Sequence, residues 1–195
     1  MTKLFAAILA VAFMAGCSSE PSKPTPAQPT PPKAPETITG SGAFFKCYIS
    51  ARSWAVDAQA YRVESAASTS HDGKSEEWRA AFASPARHSS KAFTWSKGDI
   101  AQGVDDTYIP TNSSTQIFNV QFLKTDTDKA FATAQEHGGD KLLEKEPDTP
   151  IQYVLEWNRQ ENSLQWHIIY GADRATAKLR VAVDASTGDF VRVEK

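Results

Sequence analysis

The side chains able to do chemistry are few and scattered. Four histidines, His71, His88, His137 and His167, stand apart from one another. None forms a His-x-x-x-His pair or joins a cysteine at metal-ligand spacing, so the sequence offers no metal site. No Gly-x-Ser-x-Gly elbow, glycine-rich phosphate loop or dinucleotide fingerprint occurs. The expectation is no catalytic residue and no cofactor. His167 is the histidine best placed near an acid. Strand alternation sets it across from Val154 and near Glu156, as an exposed or half-exposed sheet residue. Two cysteines are too few for a disulfide scaffold. Cys47 falls on an apolar stripe and reads as a buried thiol. Cys17 closes the run Met14-Ala15-Gly16-Cys17, a thiol behind small residues. A net charge of −2 leaves no basic surplus to neutralise phosphates, which argues against a nucleic-acid partner.

The N-terminus explains Cys17. Met1-Thr2-Lys3 is a short cationic segment, and Leu4 to Ala15 is an unbroken apolar run of twelve residues. A helix needs about 20 residues to cross a bilayer, so this run fits a secretory signal instead. Together with Met14-Ala15-Gly16-Cys17 it resembles the lipobox of bacterial lipoproteins. The resemblance implies that residues 1–16 are a signal peptide and that Cys17 becomes a lipidated N-terminus. Several acyl chains anchor stably where one alone is marginal. Ser18 stands where an aspartate would signal inner-membrane retention, so in a Gram-negative host the resemblance implies the outer membrane, facing the periplasm. Residues 17–36 read as a linker. The stretch 21–35 holds seven of the eleven prolines and extends as polyproline II, a spacer of roughly 45 Å.

The body starts at residue 37. Phe44, Cys47, Tyr48, Ala51, Trp54, Ala55 and Ala58 form one apolar stripe at helical spacing. Strands are predicted over 61–68, 77–83, 91–96 and 117–123, with 97–115 a long connection carrying one irregular strand. A second helix is predicted from Thr125 or Asp126 to Pro147. Gly138-Gly139 could end it at His137, but continuation through the pair is the preferred reading, with Gly138 close to a sheet. Tyr153, Leu155 and Trp157 then alternate with Gln152, Val154 and Glu156. After the turn Arg159-Gln160-Glu161-Asn162, Leu164, Trp166 and Ile168 alternate with Gln165 and His167. Turn length and alternation agree on one register, Trp157 facing Leu164, Leu155 facing Trp166 and Tyr153 facing Ile168. Leu179 to Val183 and Phe190 to Val193 complete this sheet. Trp78, Trp157 and Trp166 have core parity.

The body repeats itself. Ser75-Glu76-Glu77-Trp78-Arg79-Ala80-Ala81-Phe82 and Ser163-Leu164-Gln165-Trp166-His167-Ile168-Ile169-Tyr170 share Ser-x-x-Trp-x-x-x-aromatic. The expected fold class is therefore α+β: two similar units, 37–124 and 125–195, each a helix packed on an antiparallel sheet. The second unit ends in Val181-Ala182-Val183-Asp184-Ala185-Ser186-Thr187-Gly188-Asp189-Phe190-Val191. With its alanine-bearing helix and tryptophan strand it resembles a PepSY domain. That resemblance covers about 126–195 and implies a cystatin-like unit of exported proteins, often suspected of restraining peptidases. It implies no catalytic residues.

The functional expectation is a lipid-anchored periplasmic binding module that contacts another envelope protein, with a possible restraint on a peptidase. The expected contact surface is the sheet face away from the helix, with Gln152, Glu156, Gln165, His167, Lys178 and Arg180. A structural or assembly lipoprotein of an envelope complex is the alternative, and a hydrolase comes third.

Overall fold

The computed structural model describes residues 36–194. The signal peptide expected at 1–16, the lipidation of Cys17 and the linker up to residue 35 lie outside the described residues. Strand β1 (Ile38–Thr39) leads into helix α1 (Gly40–Trp54), whose first turn is capped by the Thr39 hydroxyl accepting from the Gly42 amide. The helix thus begins four residues before the apolar stripe does. Its buried face is Gly40, Ala43, Phe44, Cys47 and Ala51. Ala55 and Ala58 are buried too, although the helix has ended and they belong to the turn that follows.

Strands β2 (Gln59–Ser65), β3 (Lys74–Ser75), β4 (Glu77–Ser84), β5 (Ser89–Ser96), β6 (Asp99–Gln102) and β7 (Asp106–Thr107) come next. Helices α2 (Thr127–Ala134) and α3 (Asp140–Lys145) precede β8 (Ile151–Asn158), β9 (Ser163–Tyr170), β10 (Leu179–Asp184) and β11 (Phe190–Val193). The architecture is α+β. Nine strands form one antiparallel sheet in the order β11-β10-β9-β8-β2-β4-β5-β6, with β7 added beside β5. The join is the β2–β8 pairing, where Val63 lies opposite Leu155. Helix α1 packs on β2, β4 and β5, and α2 packs on β9 and β10. One core runs under both helices.

The β8–β9 register is the one that turn length implied: Trp157 opposite Leu164, Leu155 opposite Trp166, Tyr153 opposite Ile168. Ser75–Phe82 and Ser163–Tyr170 both lead into a central strand, β4 and β9. Their tryptophans meet edge to face with ring centres 6.4 Å apart. Gly40 lies where they meet: a Cβ there would come within 2.6 Å of Trp166 and 3.0 Å of Trp78. Its amide donates to Thr127 Oγ1, and the Asp126 carboxylate accepts from both the Ser41 and the Thr127 amides. One acidic side chain therefore caps the starts of α1 and α2 together, where negative charge is favoured.

Three expectations need correcting. The connection 97–115 carries two strands, β6 and β7, rather than one, both paired with β5. Residues 117–123 are not a strand. The Asn119 side chain accepts from the Gln121 amide and sets up a 3-10 turn at Val120–Phe122, while Phe118 and Leu123 plug the core margin. The second helix does not continue unbroken through the glycines; two helices meet at a kink there. His137 and Gly138 leave helical geometry, with Gly138 at φ 110°, between α2 and α3. The close approach is made by Gly139, where a Cβ would lie 2.0 Å from the Tyr170 hydroxyl, whereas Gly138 has room.

Candidate functional site

The face of β8 and β9 away from the helices carries the residues singled out by alternation. His167 is not exposed there, as expected, but only 3% accessible. Parity fixes which face a side chain takes, and long side chains from other segments then cover it. The loop after β9 supplies Arg174, and the strand β11 with the residue after it supplies Arg192 and Glu194. Arg192 lies opposite Ala182 on β10, which lies opposite His167 on β9, so the three are in line across the sheet.

The imidazole sits between two carboxylates. Its Nδ1 is 2.9 Å from Glu194 Oε1, and its Nε2 is 3.5 Å from Glu156 Oε1. The first is a hydrogen bond, in which a carboxylate can only accept, so Nδ1 carries the proton. The second is a charge contact too long for one, and Nε2 has no hydrogen-bond partner. Glu156 is held from both sides, by Arg174 Nη2 on Oε1 and Arg62 Nη1 on Oε2, each at 2.5 Å. Arg192 Nη2 donates to Glu194 at 3.0 Å. Burial by itself would raise the Glu194 pKa. The hydrogen bond from His167 and the charges of His167, Arg174 and Arg192 outweigh it and hold the carboxyl at about 2.

Gln165 joins the same network. It is fully buried, donates to Ser163 Oγ and Glu161, and accepts from Asn158 and Arg192. The structure thus brings Glu156, Gln165 and His167 together. Gln152 instead donates to the Ser65 carbonyl. Lys178 is exposed and pairs with Glu146 just beyond α3. Arg180 is half-buried opposite Ile169. The network flanks a groove of about 340 Å³ whose lining includes Glu156, Arg159, His167, Arg174, Arg192 and Glu194.

Arg174, Arg192, Glu194 and Arg62 were missed by sequence reasoning. Arg192 and Glu194 share a strand face by simple alternation, a readable signal. Arg62 reaches Glu156 only through the β2–β8 pairing, which no local pattern announces.

The remaining histidines stay apart. His71 contacts the Thr149 carbonyl, His88 occupies a turn at φ 51°, and His137 stacks on Phe190. Among the described residues no group of three His, Cys, Asp or Glu could hold a metal ion. Cys47 is fully buried, and burial pushes its thiol up to about 11 despite a backbone hydrogen bond. Trp78 and Trp166 are fully buried, while Trp157 sits half-buried at the core margin against Phe122.

No protein-family model matches the chain, and no curated protein matches its sequence. A crystal structure described as that of a "putative lipoprotein" from Clostridium difficile 630 is similar in fold. The TM-score is 0.51 at 11% identity, over 78% of this chain and 91% of that one. At that identity the likeness speaks for the fold alone.

Proposed function

We propose that this chain is a lipid-anchored module of the bacterial envelope that binds another envelope protein through the helix-free face of β8, β9 and β10. The carrying observation is the buried His167 between Glu156 and Glu194, with arginines from three segments around it, beside an open groove. Such a network is a poor device for stability, because desolvating the charges offsets most of their attraction. On a rigid sheet it is a prepositioned set of donors and acceptors, which suits recognition.

The anchor reading rests on the lipobox resemblance at Cys17, and the description of the fold neighbour is in keeping with it. That reading puts the protein at the outer membrane on the periplasmic side. The two strand sets, β2-β4-β5-β6 under α1 and β8-β9-β10-β11 under α2, have the same internal order, and the Ser-x-x-Trp pattern occupies matching strands. This supports a duplicated unit, 37–124 and 125–195, the second PepSY-like. Restraint of a peptidase is the partner role that the PepSY resemblance suggests. The test is a photo-crosslinker placed at the groove rim, at Gln160, and at the exposed Val56 after α1, in cells. Adducts to one envelope protein from Gln160 and none from Val56 are expected. Adducts from Val56 alone would overturn the reading.

A further inference from the structure

Both carboxylates at the groove already accept from cationic side chains: Glu156 from Arg62 and Arg174, Glu194 from His167 and Arg192. Two nitrogens there have no partner. Arg174 Nε is buried without a partner among the described residues, and so is His167 Nε2. An arginine Nε always carries a proton and can only donate. The two side chains share one neighbour, Glu156 Oε1, which lies 2.5 Å from Arg174 Nη2 and 3.5 Å from His167 Nε2. Arg159, exposed on the turn after β8, lines the same groove with its Nε held by Gln116. Glu156 and Glu194 border the groove as well, so a dianion would be repelled where a single negative charge is matched by the arginines.

We infer that this groove is a receptor for one carboxylate group of the bound protein, held by the guanidinium groups of Arg174 and Arg159 beside the His167 ring. A carboxylate is planar, carries one charge and accepts from two nitrogens at once, which is the geometry that a guanidinium edge selects. The inference deepens the proposed function and rests on it, because the groove lies on the face assigned to the partner. The carboxylate comes from a chain terminus or from an acidic side chain.

The experiment follows the ¹⁵N signals of Arg174 Nε and the His167 ring in the full chain, held in detergent micelles. N-acetylglycine represents a chain terminus, the α-amide of N-acetylaspartate an acidic side chain, and N-acetylglycinamide carries no charge. Inorganic phosphate is the fourth probe. A saturable shift of both signals with at least one of the acids, and none with the amide, is expected; the stronger acid identifies the source. Arg174→Lys keeps the charge but removes the Nε donor, and should weaken the affinity about tenfold or more with an unchanged melting temperature. No saturable shift up to about 100 mM acid, equal shifts with the amide, or tighter binding of phosphate than of either acid would overturn the inference. Those failures leave the Gln160 crosslink intact if the partner face is right. Acid binding without that crosslink would overturn the partner face instead.

Discussion

Trp166 is where the packing of this protein is most exposed to test. Its indole is fully buried, meets Trp78 edge to face at 6.4 Å, and donates from Nε1 to the Thr125 carbonyl at 2.8 Å. Trp166→Ala removes a large buried aromatic, which costs about 3–5 kcal/mol where the surroundings cannot collapse. Collapse is hindered here because Gly40 has no side chain to move into the space. The lost hydrogen bond, about 1 kcal/mol, falls within that range rather than adding to it. A domain of this size has roughly 5–15 kcal/mol in all, so the variant should fold only marginally. The assay is urea unfolding followed by far-UV circular dichroism, with the midpoint falling while the slope stays constant. A double-mutant cycle of Trp78→Leu and Trp166→Leu should return a coupling of about 0.5–1.5 kcal/mol, the worth of an aromatic pair. A loss under about 1 kcal/mol for Trp166→Ala would refute the packing, because it would turn β9 by one residue and send His167 into the core.

Gly139→Ala should destabilise by about 1–3 kcal/mol, because its Cβ would strike Tyr170 and break the Gln135–Tyr170 hydrogen bond; thermal melting checks this. Glu194 sets an acid limit. Its folded pKa, about 2, lies below the ordinary carboxyl value, so its stabilisation is complete above that ordinary value and is lost as pH falls toward 2. Unfolding free energy measured from pH 6 to pH 2 should fall more steeply in the native chain than in Glu194→Gln, and equal slopes would contradict the ion cluster. Cys17→Ser should leave uncleaved precursor in the membrane fraction, and normal maturation would remove the lipoprotein reading.

Much of the second half was legible because local rules agree there. A four-residue turn and a two-residue period allow one β8–β9 register in which every facing pair on the helix side is apolar. Asp184 likewise announces the next turn, its carboxylate accepting from the Ser186 and Thr187 amides while Gly188 takes φ 86°. The illegible parts depend on distant segments. The β2–β8 pairing that unites nine strands joins residues 94 apart, such as Arg62 and Glu156. His167 was placed on the correct face, but alternation says nothing of Arg174, Arg192 and Glu194 closing over it. The same burial changes the outlook for Glu156. On a solvated strand its charge reversal would be nearly neutral, whereas here it would face Arg62 and Arg174 with a like charge and cost about 3 kcal/mol or more.

The central claim is that the charged groove on the helix-free face holds an envelope partner. Its most direct test combines Arg159→Glu and Arg174→Gln with the Gln160 photo-crosslinker in cells. Arg159 is exposed, so Arg159→Glu should shift melting little, whereas Arg174→Gln gives up a charged bond to Glu156 and should lower the melting temperature while Arg62 still holds that carboxylate and the chain stays folded. Loss of the Gln160 adduct in the folded double variant and in Arg159→Glu alone is the expected result; an undiminished adduct to the same partner would contradict the account.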